Sequence, residues 1–191
     1  MCNDYGLNHP ITRLNQAFRV LQYPIIFPDG LPNLEPREDI RPTDLAPVVR
    51  RVEGGAEFVS LKWGFKPGRP KAAPVINFRS EGRRFGSGRC LIPASHFFEF
   101  TGTKYPKSKW KFTRPDGAPF CIAGLWRAAD GDWPASFTLL TVDAGGDVGP
   151  LHGRQIVTLA DDRWGDWLDG APEAELLKPE PAGALVVEQV R

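Results

Sequence analysis

Three cysteines, three histidines and a single methionine are a thin supply of soft metal ligands and acid–base groups for 191 residues. Cys2, Cys90 and Cys121 are too few and too scattered for a disulfide framework. No C-x-x-C or H-x-x-x-H spacing occurs, which argues against a structural zinc. No apolar run approaches the roughly 18 residues of a membrane span. The opening MCNDYGLNHP has neither a basic nor an apolar leader region. No Gly-rich phosphate loop of either usual type is present. These absences predict a protein of a reducing compartment, cytoplasmic and soluble, with no membrane association and no cofactor. What is abundant is turn chemistry, with 20 glycines and 19 prolines, on an ordinary globular background of 41% hydrophobic and 25% charged residues. One domain over 1–191 is expected from the length.

Charge is unevenly placed. Residues 62–114 carry thirteen Lys/Arg against Glu81 and Glu99, a net of +11. Residues 161–191 carry eight acids against three basic residues, a net of −5. The basic segment is interleaved with Trp63, Phe65, Phe78, Phe85 and Trp110. Cations alternating with aromatics suit a groove that follows a nucleic-acid backbone. Solvated loops balanced by the acidic tail are the plain alternative.

Strand-like runs recur at 58–63, 74–78, 110–113, 120–126, 137–142, 154–159 and 184–190, rich in Val, Ile, Phe, Trp and Thr. Residues 10–19 predict a short helix capped by Asn8, and 160–168 a second with acids in its first turn. Residues 24–47, with six prolines, read as a long irregular connection. The fold class expected is α+β, a single domain with a mostly antiparallel strand-built core and short helices.

Four residues invite chemistry. Loss of Met1 from a chain whose second residue is small would leave Cys2 with an α-amine and a thiol on adjacent carbons. That 1,2-aminothiol condenses with an aldehyde to an imine and closes to a thiazolidine; a frayed terminus is the alternative. Glu99 is the only acid between residues 82 and 115 and lies beside Phe97, Phe98 and Phe100. Buried there, its pKa would rise into the range of a general acid; on the outer side of a strand it would do nothing of the kind. His152 precedes a strand-like run and has the pKa range of a proton shuttle, or is a loop histidine. Asn77 ends an apolar run and can orient a nucleophile or satisfy a turn. Cys90 and Cys121, each in an apolar run, read as buried small hydrophobes.

The blocks MC, RPTDLAPVV (41–49), LKWGFKP (61–67), INFRSE (76–81), RCLIPASHFFEF (89–100), FCIAGLW (120–126), LLTVDA (139–144) and LHGRQIVTL (151–159) follow in fixed order along nearly the whole chain. In that order they resemble the SOS-response-associated peptidase family, whose members act as abasic-site processing proteins. The resemblance implies a compact α+β domain with a basic groove for single-stranded DNA containing abasic sites, acting as a monomer. It implies that Cys2 traps the ring-opened sugar as a thiazolidine, a covalent protein–DNA link that shields the lesion in the DNA-damage response. Asn77 would position Cys2, Glu99 would relay protons, and His152 would assist proton transfer and reversal. Arg79 and Arg154 would hold flanking phosphates, and Pro42 and Thr43 of the 41–49 block would also contact DNA. The activity so implied is lyase-like, with self-removal of Met1. The alternative is an N-terminal-nucleophile cysteine peptidase or amidase. Departures fall on the DNA side: MCND replaces the usual MCGR, putting Asp4 where an arginine is common, and Gly68-Arg69-Pro70 replace an aromatic. FFEF stands for F-Y-E-W and HGRQI for H-D-R-M-P, which retains Glu99, His152 and Arg154.

Overall fold

The computed structural model describes residues 2–191. Two sheets share the strands. From the start of the chain come β1 (Tyr5–Leu7), β2 (Ile25–Ile26), β3 (Arg37–Ile40), β4 (Leu45–Val52), β5 (Gly55–Trp63) and β6 (Asn77–Arg79). Then follow β7 (Arg89–Ala94), β8 (His96–Thr101), β9 (Ser108–Thr113), β10 (Phe120–Arg127), β11 (Ser136–Asp143), β12 (Arg154–Ile156), β13 (Thr158–Leu159) and β14 (Val186–Gln189). The smaller sheet runs β14-β9-β8-β1-β3 and is antiparallel throughout. The larger runs β12-β11-β10-β7-β4-β5-β2, and β11 also pairs in parallel with β5. That last pairing closes β11, β10, β7, β4 and β5 into a ring, which leaves these five strands no free edge. The α+β, mostly antiparallel expectation holds.

Burial explains the sequence pattern. Strands β7 and β11 are buried along nearly their whole length, so they read as continuous apolar runs instead of alternating ones. Val48, Trp63, Leu91, Ile92, Phe137, Leu139 and Leu140 are fully enclosed. Inside, Trp63 stacks on Phe137 at 6.3 Å between ring centroids and meets Tyr5 edge-on at 5.1 Å. Strand β7 continues into β8 through Ser95 alone, so one chain segment passes from the large sheet to the small one. The two cysteines read as small hydrophobes, Cys90 and Cys121, are buried as expected.

The helices are brief. Helix α1 (Ile11–Ala17) buries Ile11 and Leu14, followed by Phe18 on the same side. Its N-cap is Pro10, not Asn8. Asn8 is drawn away because its backbone N–H donates to Ser95 Oγ at 2.7 Å and its amide to Glu38 at 2.8 Å. The predicted helix at 160–168 is a 3₁₀ turn at 161–163 leading into α2 (Trp164–Leu168), which docks by Trp164 and Trp167. Each indole N–H is satisfied, the latter by the Cys90 carbonyl at 2.9 Å. A third helix, α3 (Glu173–Leu176), covers one turn. No helix among the described residues is long and apolar enough to cross a membrane.

The proline-rich 24–47 segment is less irregular than expected. It contributes β2, β3 and the start of β4. Five of its six prolines fall outside the strands, flanking β2 and β3, and only Pro47 lies within one, the inner strand β4.

Candidate active site at the junction of the sheets

Cys2 is not frayed. It exposes 1% of its surface, because the chain enters directly into β1, an inner strand of the small sheet. Tyr5 pairs with Phe97 and Gly6 with His96 on one side, and Tyr5 with Ile40 on the other. A Cβ on Gly6 would lie 2.2 Å from the His96 ring, so only glycine lets β1 approach β8 this closely. The Phe98 N–H donates to the Asp4 carbonyl at 2.9 Å, extending the ladder toward Cys2.

Asn77 starts β6, which lies parallel to β11 with Asn77 opposite Leu139. From there its amide donates to the Cys2 carbonyl at 2.7 Å. A contact across 75 positions of sequence thus anchors the start of the chain. The Cys2 thiol points back to the Asp4 carbonyl at 3.3 Å.

Glu99 lies on β8 opposite Trp110 and exposes 1%. The outer-face alternative is overturned. Burial raises its pKa above the ordinary carboxylate range, while the His152 ring and the Cys2 backbone act in the opposite sense. Burial, followed by the nearby Glu99 charge, likewise pushes the Cys2 thiol far above the ordinary thiol range. The thiol is therefore neutral in this arrangement. His152 arrives from the loop between β11 and β12, with its N–H on the Val148 carbonyl at 2.9 Å. Its Nδ1 faces the backbone, 2.8 Å from the Arg154 carbonyl and 3.0 Å from the Arg154 N–H.

Glu99 and His152 look into an open cleft of about 550 Å³ that is also lined by Asn3, Asp4, Pro42 and Lys109. Cys2, Asn77, Glu99 and His152 are thus brought together from four separate stretches of sequence. The cations are not all gathered there. Arg79 is exposed on β6 and makes no ion pair among the described residues. Arg154 is tied to Glu81, to Asp143 at 2.8 Å and to the Thr141 carbonyl at 2.9 Å. Pro42 lines the cleft. Thr43 adopts φ 78°, a left-handed conformation costly for a β-branched residue, and its N–H is held by the Trp63 carbonyl at 2.8 Å.

Asp4 is buried, and Lys109 reaches it at 2.9 Å while also meeting Asp39 at 2.5 Å. Burial is the main reason its carboxyl is pushed up to about 6, against the pull of Lys109. Of the thirteen cations at 62–114, Lys66, Arg89, Lys109, Lys111 and Arg114 are ion-paired. The +11 segment is therefore a mixture of neutralised and free charge. Reading the sequence missed the cleft residues Arg41, Tyr105, Lys107 and Arg191. The signal within reach was the TKYPK stretch, an aromatic between lysines in a turn.

Comparison with known proteins identifies relatives of this chain. The family model described as SOS response associated peptidase matches residues 1–191. The abasic site processing protein YobE of Bacillus subtilis is 24% identical over 186 aligned positions, covering 88% of this chain and 82% of that one. YoaM of the same organism, also described as an abasic site processing protein, is 26% identical over 188 positions, covering 88% and 79%. A crystal structure of a Bordetella bronchiseptica protein superposes with a TM-score of 0.77 at 28% identity, with all of both chains covered. With the family model spanning the full length and the same architecture in a solved structure, the chain belongs to the SOS response associated peptidase family.

Proposed function

We propose that this protein processes abasic sites by capturing them covalently in single-stranded DNA. The observation that carries the reading is the convergence on Cys2: the Asn77 amide on its carbonyl at 2.7 Å, the buried Glu99 beside its backbone, and His152 next to Glu99. In this reading Met1 is removed and the Cys2 α-amine attacks the aldehyde of the ring-opened sugar. Glu99 gives a proton to the ring oxygen as the sugar opens and regains one from the anomeric hydroxyl; it then protonates the carbinolamine hydroxyl, which leaves as water, and takes back the proton that nitrogen loses. The imine that remains has lost one water. The thiol then adds across its C=N bond: sulfur bonds to carbon, the thiol proton goes to nitrogen, and the ring closes. Sulfur adds as its thiolate, the thiol proton passing to the imine nitrogen as the ring closes.

Burial supports the acid role of Glu99, because a carboxyl with a raised pKa holds a proton to give. Nδ1 of His152 is engaged by the backbone, so Nε2 is the nitrogen that serves proton transfer on reversal. Arg79 is the exposed cation that suits a flanking phosphate, and the Pro42–Thr43 turn is the backbone wall at the cleft. The peptidase alternative needs the thiolate for its first bond, whereas capture begins at the α-amine and draws on sulfur only at ring closure.

The test is intact-protein mass spectrometry after mixing with an oligonucleotide carrying one abasic site. The expected species is the protein lacking Met1 plus the oligonucleotide minus one water, stable to heating without reductant. No adduct, together with cleavage of a peptide or amide, would instead establish the hydrolase.

A further inference from the structure

The hairpin between β8 and β9 carries Tyr105 at the cleft mouth with 89% of its surface exposed. Other rings in this protein are packed in the core or held against it; this one lies against solvent at the edge of the site. An aromatic side chain left in water forgoes the large burial that such rings normally contribute. Beside it are two cations from different elements. Lys107 follows in the same hairpin. Arg191 arrives after β14 has paired with β9, through Val190 N–H to the Lys109 carbonyl and Lys109 N–H to the Arg191 carbonyl, both at 2.9 Å. Its guanidinium is aimed by one bond, Nε to the Lys107 carbonyl at 3.1 Å, and lies 5.9 Å from the Phe100 ring. Neither Lys107 nor Arg191 makes an ion pair among the described residues. Lys109, a third cation of the cleft, is neutralised by Asp4 and Asp39. Free positive charge on this wall therefore sits next to the exposed ring.

We propose that Tyr105, Lys107 and Arg191 form a nucleotide-binding rim, the ring stacking on an unpaired nucleobase and the two cations holding its phosphate. An acidic peptide would satisfy the charges but leave the ring unused. A π-face beside paired cations matches a base with its phosphate, the combination by which proteins hold single strands. The proposal rests on the reading of the cleft as a site for abasic single strands, and assigns the nucleotide next to the lesion to this wall.

The test separates the two. Binding is measured by fluorescence anisotropy on a single strand bearing a tetrahydrofuran abasic analogue, which has no aldehyde and cannot be captured. Tyr105→Ala should weaken binding about 5- to 100-fold, the range for losing one stacked base, while Tyr105→Phe stays near wild type. On a strand made wholly of the analogue, with no bases, Tyr105→Ala and wild type should bind alike. Arg191→Gln should reduce the slope of log K against log salt by about 0.7. Full affinity of Tyr105→Ala on the base-containing strand, or an equal loss on the baseless one, overturns the rim. If wild type still captures a true abasic site in that case, the capture reading survives alone. A wild type that neither binds nor captures single strands overturns both. The exposure of Tyr105 makes its variants safe for folding, checked by an unchanged Tm.

Discussion

The floor and the rim of the cleft hold reactive side chains under opposite conditions. On the floor, Cys2 and Glu99 each expose 1%, Glu99 sits in β8, Cys2 leads into β1, and Asn77 ties the Cys2 backbone to the other sheet. On the rim, Tyr105 is almost wholly exposed, and away from the cleft lining Arg79 stands in solvent. Burial is what gives the floor its chemistry, since desolvation raises the Glu99 carboxyl and keeps the Cys2 thiol neutral. The same burial leaves the floor little room for substitution. In the proposed reading the rim acts through long-range charge and stacking, which tolerate exchange of one residue for another in a different place.

The comparison breaks most sharply at Cys2. Cys2→Ser keeps the amine and removes the ring-closing atom. No heat-stable adduct is expected, only an imine that borohydride traps; an unreduced stable adduct at wild-type yield in mass spectrometry would falsify the thiazolidine. Next comes Glu99→Gln, which preserves shape and loses the proton. Capture should slow by about 10²-fold, the lower end of general acid–base assistance, and still reach the same product. Stopped-time gel assays at the wild-type rate would make Glu99 structural.

At the cations outside the floor the effects shrink. Each phosphate neutralised on a single strand contributes about −0.7 to the salt slope. Arg79→Ala should remove about that much. Arg154→Ala should remove far less, because Glu81 and Asp143 already neutralise that guanidinium. Glu81→Gln, which loosens it, should steepen the slope. Equal losses from both arginine variants, read by anisotropy titrations across salt, would mean that DNA displaces those acids.

The smallest effect concerns Asp4. Its carboxyl is held at about 6 in the folded protein against an ordinary 3.8. The folded state thus binds this proton more tightly than the unfolded chain. The stabilisation is complete below about pH 4 and is lost as pH rises through 6. Asp4→Asn, which carries no charge to bury, should raise Tm relative to wild type by about 2–4 °C at pH 7.5 and by nothing near pH 4. Scanning calorimetry at the two values checks the sign; a variant less stable at pH 7.5 would show that the Lys109 pair outweighs the burial of Asp4.

Legibility followed the same division. Strands β5, β9, β10 and β11 were readable because β-branched and aromatic residues run unbroken between turn residues. Strands β4 and β7 were harder, each carrying a proline within an apolar run: Pro47 stands opposite Ser60, and Pro93 opposite Cys121. Tyr5–Leu7 and Arg37–Ile40 have too few residues for a period to show. Cys2, Asn77, Glu99 and His152 were singled out as types with chemistry, but their meeting depends on pairings between distant parts of the chain, 75 positions for Asn77 and Cys2, that no local pattern contains. Charge misled in one respect: a sum over 62–114 counts Lys109 and Lys111 like Lys107, although their acids, Asp4, Asp39 and Glu38, lie far earlier in the chain.

The inner position of β1 sets a clock on maturation. Strand β1 has no partner at β8 until residues 96 and 97 have been made. At about 5–20 residues per second, roughly 5–20 s of synthesis separate the appearance of Cys2 from that of its neighbours on β8. During that interval the start of the nascent chain is open to an aminopeptidase; afterwards Cys2 is enclosed. In the proposed capture by the Cys2 amine, the yield of competent protein would depend on a race between trimming and closure. Aminopeptidase supplied during cell-free translation should yield reactive protein, and the same enzyme added after folding should yield little.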